Sequence, residues 1–500
     1  MTSPELTPEV SREPGAHLEV AHALDEAPLS RYHFRTVVAS GAGFFTDAYD
    51  LFVISTVATL AAAQWHLSTT DKSWVTGAAI LGAFIGASVF GRIADLLGRK
   101  RVFVIVAAVM ICGAILSAFS SSFLMLVLAR LLLGFGIGGD YPVSAVLMSE
   151  YSNRADRGRT VGLVFSMQAL GLIVGPLVAL ALLASGVSHD ATWRLLLGIG
   201  AIPAAGVLWL RTRMPESPRF EAQARGNAAK AAADLHKYSR GVARVDGLVG
   251  AEPVRVETRT QGSSSLTQLL RNRRMLRLLL GTAGSWLLFD YAYYGNTLSL
   301  PTILKEVSPT ASVSQQLLWS LAIFVACAVP GYVLAFTYMD RIGHRRLQVI
   351  GFAIMASAFV VLGLVPALTA HVAPFLAIFG LSYLFIEFGP NSTTFVLPSE
   401  VFPLKARTTG HGISAGIGKL GAFIGVFLVP ALQSSIGLRG MLIVAACASV
   451  AGLAVTYLLP EPARRSLDEV SASVHEAPPR VGPGARAGAA SEPLVGSASS

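Results

Sequence analysis

GRIADLLGRKR, residues Gly91–Arg101, returns as FTYMDRIGHRR at Phe336–Arg346, with Asp95 and Asp340 245 residues apart. Two further echoes keep nearly the same interval. SEYSNRADRGR (Ser149–Arg159) returns as SEVFPLKARTTG (Ser399–Gly410), with Glu150 and Glu400 250 apart. MPESPRF (Met214–Phe220) returns as LPEPARR (Leu459–Arg465), with Glu216 and Glu461 245 apart. Three agreeing intervals mark a duplicated unit, and all three lie at the edges of long apolar runs.

Those runs set the fold class. The chain is 53% hydrophobic and 14% charged, with mean hydropathy +0.58, against roughly 25% charged residues in a soluble domain. It lacks the polar surface to face water all round. A bilayer core takes about 20 apolar residues per helix. On that ruler twelve spans are expected, at roughly 37–62, 74–97, 101–119, 121–147, 160–186, 192–212, 276–300, 315–339, 346–368, 372–398, 408–432 and 438–459. The reading is an all-α membrane protein with twelve transmembrane helices in two six-helix bundles, residues 37–212 and 276–460. Parallel duplication of this kind relates two bundles about an axis along the membrane normal, with a substrate site between them.

Basic residues give the orientation. Arg99-Lys100-Arg101, Arg154/Arg157/Arg159, Arg341/Arg345/Arg346 and Lys405/Arg407 follow spans 2, 4, 8 and 10. The intervening loops hold little more than Lys72, Lys305 and Arg439. Positive loops face the cytoplasm, so both termini and the long central loop (213–275) are expected there. This alternation also explains the net charge of +9 without a nucleic-acid partner. No cleavable signal peptide is visible. Residues 1–36 and 461–500 read as cytoplasmic tails, disordered at the N-terminus and largely so at the C-terminus. Cys112, Cys327 and Cys447 lie in apolar segments at unrelated spacings and read as small buried hydrophobes, with no disulfide framework or metal site.

Ionisable groups inside spans are functional candidates because hydrocarbon makes them costly. Span 1 carries Asp47 and Asp50 on one helix face; span 4 carries Arg130 and then Asp140-Tyr141. Gln168 lies in span 5, and Trp286, Asp290 and Tyr294 form a stripe every four residues down span 7. Glu387 and Asn391 lie in span 10 and Lys419 in span 11. The repeat aligns several of them: Asp47 with Asp290, Tyr141 with Asn391, Gln168 with Lys419, at intervals of 243, 250 and 251. They are expected to converge on one central cavity. Gly134, Gly136, Gly138 and Gly139 allow close helix approach, and Pro142 is expected to break span 4 beside the polar pair. Neutral donors suit the oxygens of an anion or a polyol, and the central carboxylates and lysine exceed what a neutral polyol requires. The carboxylates suit an anion only if they carry protons when it binds.

The chain resembles the major facilitator superfamily over essentially all twelve spans, most specifically in the Gly-x-x-x-Asp-x-x-Gly-Arg-Lys loop after span 2 and in PESPR after span 6. The resemblance implies a cytoplasmic latch in which Asp95, Arg99, Glu150 and Arg157, and likewise Asp340, Arg341, Glu400 and Arg407, form charge clusters that break as the bundles rock. FFTDAYDLFVI, GGDYPVSAVLMSE, WLLFDYAYYGN and FGPNSTTFVLPSEVFP closely resemble the inorganic phosphate:proton symporters of that superfamily. This likeness implies phosphate contacts from Tyr141, Gln168, Trp286, Asp290, Tyr294 and Asn391. It also implies proton handling by Asp47 and Asp140, an exit-side role for Asp50, a nearby role for Lys419, and a monomer in the plasma membrane. Ala169 departs from the pattern, where glycine is expected after Gln168.

The function expected is therefore proton-coupled phosphate import by alternating access, without cofactor or metal. The alternatives are a proton-coupled carrier of another oxyanion or an organic acid, and a non-transporting phosphate receptor, for which the short tails offer no signalling extension. An enzyme is not expected: no nucleotide-binding loop, nucleophile elbow or metal-ligand spacing occurs, and GFGIGG lies inside a span.

Overall fold

The computed structural model describes residues 16–240 and 272–470, Asp468 excepted. Every regular element among them is a helix. Span 1 is Arg31–Trp65, span 2 Thr69–Leu97, span 3 Arg99–Ala118 and span 4 Phe123–Tyr151. Spans 5 and 6 are Arg157–Ala184 and His189–Thr212. Span 7 is Arg273–Leu298, continued by the short helix Leu300–Val307. Spans 8, 9 and 10 are Ser314–Ile342, His344–Leu364 and Val372–Val401. The last helix, Arg407–Thr456, is two spans: Gly437, at φ +73°, breaks it into spans 11 and 12. The twelve expected spans are all present, most of them longer at their ends than the apolar runs alone suggest.

Local chemistry sets the ends. Ser68 and Asp71 form a reciprocal cap on span 2, the Ser68 hydroxyl accepting from the Asp71 amide and the Asp71 carboxylate from the Ser68 amide. Ser312 and Gln315 do the same where span 8 begins. Gly98 and Gly343, at φ +102° and +99°, turn the chain between spans 2 and 3 and between spans 8 and 9, a backbone region that glycine enters without strain. Glu216 then caps span 3 by accepting from the Arg99 and Lys100 amides. Glu461 caps span 9 through the amides of His344, Arg345 and Arg346. The third sequence echo is thus a pair of helix caps.

The halves meet symmetrically, span 2 packing on span 11 and span 5 on span 8. A Cβ on Gly134 would lie 1.8 Å from the Ala79 carbonyl oxygen and one on Gly138 2.0 Å from that of Ala83, so these glycines do bring spans 2 and 4 into backbone contact. Large exposed side chains such as Leu128, Ile202, Leu280 and Val450 are apolar, as a surface facing hydrocarbon must be.

Several expectations change. Pro142 does not break span 4, which runs helical through it; every residue from Gly136 to Tyr151 is buried, and packing on all sides holds the helix across the lost hydrogen bond. The break falls in span 10 instead, as a π-helical turn over Glu387–Asn391 with Gly389 at φ −108°, ψ −106°. The N-terminal tail is not all disordered, since Ala16–Glu26 is a helix. Its Val20 and Leu24, with Ala27, make an apolar stripe that buries against Ala222, Ala231, Ala232 and Leu235 of the central segment, which itself holds a helix at Ala228–Ser239. Cys112 and Cys447 are exposed rather than buried, on helix faces that look out of the bundle. Residues 1–15, 241–271 and 471–500, the rest of the expected tails and loop, lie outside the described residues.

Candidate substrate site and candidate gate

Seven spans deliver polar groups to one buried centre between the halves. Lys419 of span 11 is its hub: Nζ donates to Asp290 Oδ2 at 3.1 Å and to the Tyr294 hydroxyl at 3.0 Å. It also lies over the rings of Tyr141 and Tyr294, 4.5 and 4.2 Å from their centroids. Trp286 stands between Tyr141, 6.1 Å away between ring centroids, and span 11, where Gly418 leaves room for the indole. On the other flank Asn391 Nδ2 donates to the Tyr332 hydroxyl at 2.9 Å and to Glu387 Oε2. The Tyr332 hydroxyl reaches Gln168 Oε1 across the interface, at 3.5 Å. The six expected phosphate contacts therefore do surround one centre, each 3% exposed or less. The Tyr141 hydroxyl and Gln168 Nε2 are buried without a hydrogen-bond partner.

The four expected proton-coupling residues separate into two kinds. Asp47 lies beside Tyr141 with Lys419, Asp50 and Asp140 as charged neighbours, and neither of its oxygens has a hydrogen-bond partner. Asp50, by contrast, is closed in an ion pair with Arg130 at 2.6 Å, and Asp140 in one with Arg211 at 2.6 Å, all four side chains buried. Arg211 is held further by its stacking 3.7 Å from the Phe103 ring centroid, and Ser144 donates to Asp140 Oδ1 at 3.0 Å. Gly43 makes space for this node, since a Cβ there would lie 2.0 Å from Asp140 Oδ2. Lys419 pairs with Asp290, not with Asp47. Among the described residues no cluster of His, Cys, Asp or Glu is placed to hold a metal.

An aromatic layer lies on the side of this centre that faces the basic loops. Phe44 of span 1, Phe165 of span 5 and Phe395 of span 10 meet across the halves, with centroids 5.0 Å apart for Phe44–Phe395 and 4.5 Å for Phe165–Phe395. Beyond it the expected charge clusters are built with the symmetry of the repeat. Asp95 accepts from the amide and hydroxyl of Thr409, at 2.7 and 2.6 Å, and so caps span 11 of the other half. Asp340 accepts from the Gly158 and Arg159 amides, at 3.1 and 2.6 Å, and caps span 5 of the first. Arg99 pairs with Asp95 at 3.2 Å and Glu150 at 3.0 Å, and Arg407 approaches Glu150 to 3.9 Å from the opposite half.

One expected member is displaced. Arg341 is exposed and belongs to none of the ion pairs among the described residues; His344, 245 residues after Arg99, stands in its place, with Nδ1 2.9 Å from Glu400 and Nε2 3.2 Å from Asp340. The aligned repeat carries that signal, GHRR against GRKR, where a scan for arginines passes over it. Arg157 has an unforeseen partner as well: Asp25 of the N-terminal helix lies 2.7 Å from both Arg157 and Arg219. Arg211 and Tyr332 gave little signal. The first reads as one more basic residue at a span end, and the second echoes nothing in the other half.

Comparison with known proteins agrees with this fold. The sugar (and other) transporter family profile matches residues 35–473. "Inorganic phosphate transporter 1-6" of Oryza sativa subsp. japonica is 37% identical over 92% of this chain and 97% of its own length. "Low affinity inorganic phosphate transporter 4" of Medicago truncatula is 34% identical over 91% and 94%. Among solved structures, the proton:xylose symporter XylE bound to 6-bromo-6-deoxy-D-glucose superposes with TM-score 0.76 at 21% identity, covering 88% of this chain and 99% of that one. This chain belongs to the major facilitator superfamily, within its sugar (and other) transporter family and alongside the inorganic phosphate transporters.

Proposed function

We propose that this protein imports inorganic phosphate together with protons by alternating access, as a monomer in the plasma membrane with both termini in the cytoplasm. The observation that carries the reading is the buried centre of Tyr141, Gln168, Trp286, Asp290, Tyr294 and Asn391 around Lys419. It offers hydroxyl, indole and amide donors from both halves and one ammonium, which suits a tetrahedral oxyanion. Relatives named as phosphate transporters across nearly the whole chain support the same substrate. A neutral polyol has no need of the lysine, nor of carboxyls that must be neutralised before an anion can enter.

The geometry supports the following roles. Phosphate takes Nζ of Lys419 in exchange for part of its bond to Asp290, and the free donors of Tyr141 and Gln168 close on its oxygens. Asp47, unpaired, is the first carrier of a coupled proton; Asp50 and Asp140 are balanced by arginines and shape the field around it. With the cytoplasmic gate closed, loading is from outside. Rocking then withdraws Asp95 and Asp340 from the helix ends they cap and opens the inner route. Positive loops on one side support the orientation.

The test is uptake of labelled phosphate into proteoliposomes with the outside made acidic, with and without a protonophore. Accumulation that collapses with the gradient carries the reading. Absence of phosphate uptake by folded protein, with uptake of sulfate or an organic acid, refutes the substrate and keeps the carrier.

A further inference from the structure

Three of the five acidic side chains at the centre have a cation: Asp50 has Arg130, Asp140 has Arg211 and Asp290 has Lys419. Two do not. One is Asp47 in the first half; the other is Glu387 in the second, which the roles above leave unused. Glu387 is fully buried, in the π-helical turn that opens span 10. The groups that face it are all neutral donors: Tyr293 from span 7, Tyr332 from span 8, and Tyr383 and Asn391 from its own span. Span 8 presses against it at Gly331, where a Cβ would lie 2.8 Å from Glu387 Cβ. Its Oε1 has no hydrogen-bond partner, and no ion pair among the described residues reaches it.

Glu387 is nevertheless wired to the substrate centre. Asn391 Nδ2 donates both to Glu387 Oε2 and to the Tyr332 hydroxyl, which continues to Gln168 of the other half. An ionised Glu387 holds that amide by a charge-assisted bond, and the amide is then engaged. Protonated, the carboxyl lets it turn to an anion. The charges agree. With the three ion pairs neutral, Asp47 and Glu387 are the two uncompensated negative charges, one per half, and an anion cannot join both in so dry a site. We propose that Glu387 is the proton-carrying group of the C-terminal half, so that two protons, one on Asp47 and one on Glu387, accompany each dihydrogen phosphate and one net positive charge moves inward. The inference rests on the phosphate reading above.

The test uses proteoliposomes of the full chain under imposed pH gradients, with a potassium–valinomycin potential as a second variable, and reads the limiting accumulation of labelled phosphate. Each coupled proton raises that limit about tenfold per pH unit. The unsubstituted protein should accumulate about a hundredfold per pH unit and respond to an inside-negative potential. Glu387→Gln keeps the acceptor for Asn391 and should fall to about tenfold and lose the response to potential, while Glu387→Asp retains both. A limit and potential response unchanged in Glu387→Gln overturns the proposal, as does their loss in both variants. Uptake by the unsubstituted protein that ignores potential overturns it without any variant, should Glu387→Gln fail to fold. No phosphate uptake by the unsubstituted protein takes down the underlying reading first, and this inference with it.

Discussion

The Asp140–Arg211 pair allows the fold and the coupling to be tested in one experiment. Arg211 Nη2 lies 2.6 and 2.8 Å from the two oxygens of Asp140, with the guanidinium against Phe103 and both groups sealed from solvent. Removing one partner of such a pair costs about 3–5 kcal/mol, because the other charge stays buried, whereas removing both is close to neutral. Asp140→Asn and Arg211→Met should each lose about that much, and Asp140→Asn/Arg211→Met should recover most of it, an interaction energy of at least 2 kcal/mol in a double-mutant cycle. Unfolding of the four proteins by SDS in mixed micelles measures this. Losses that simply add, within about 0.5 kcal/mol, would refute the reasoning. The double variant then settles what Asp140 does in transport. If Asp140 only balances Arg211, the double variant accumulates phosphate under a pH gradient as the unsubstituted protein does. Loss of accumulation in a folded double variant would return Asp140 to the set of proton carriers that the sequence likeness implies.

Asp47→Asn should leave downhill phosphate exchange intact and lower the limiting accumulation to about tenfold per pH unit, the share of the one proton left; an unchanged limit would exclude Asp47 as a coupled carrier. Asp290→Asn removes a proposed phosphate contact and the 3.1 Å bond that holds the Lys419 ammonium in place, and should raise the KM for phosphate about tenfold or more, one charge-assisted bond being worth about 1.5–3 kcal/mol. Asp95→Asn and Asp340→Asn should act alike, each removing one cap across the halves worth about 0.5–2 kcal/mol; both should speed labelling from the cytoplasmic side of a cysteine introduced at Ser166 in a background lacking Cys112, Cys327 and Cys447. Different effects of the two would argue against a symmetric gate. Asp25→Asn should show the same faster labelling, since it releases Arg157 and Arg219 together; an unaltered rate would mean that the N-terminal helix only decorates the gate.

The sequence was most readable where it repeats. Twelve spans, the paired placement of Asp95 with Asp340 and of Glu150 with Glu400, and the convergence of Tyr141, Gln168, Asp290 and Asn391 all follow from apolar runs and a constant interval, because duplication places equivalent residues at equivalent depths. What stayed hidden is pairwise. Nothing in the order of residues says that Arg211 reaches Asp140 or that Lys419 prefers Asp290 to Asp47, since those choices depend on helix rotation and on which small residue makes room, as Gly43 does. The helix Ala16–Glu26 was hidden for another reason. Its apolar stripe is short, and its partner is an equally modest stripe in a segment that also reads as polar.

The crossed caps have a consequence for how such a carrier can change over time. Each half supplies the carboxylate that finishes a helix belonging to the other, so neither completes this rim by itself. A substitution in one loop is felt first as a frayed helix in the opposite half. The two copies, free to diverge at the centre where one keeps a charged Arg211–Asp140 node and the other, at the matching depth, a neutral contact between Gln348 and Thr456, stay bound to each other at the rim. Ancestry survives longest where each copy depends on its twin.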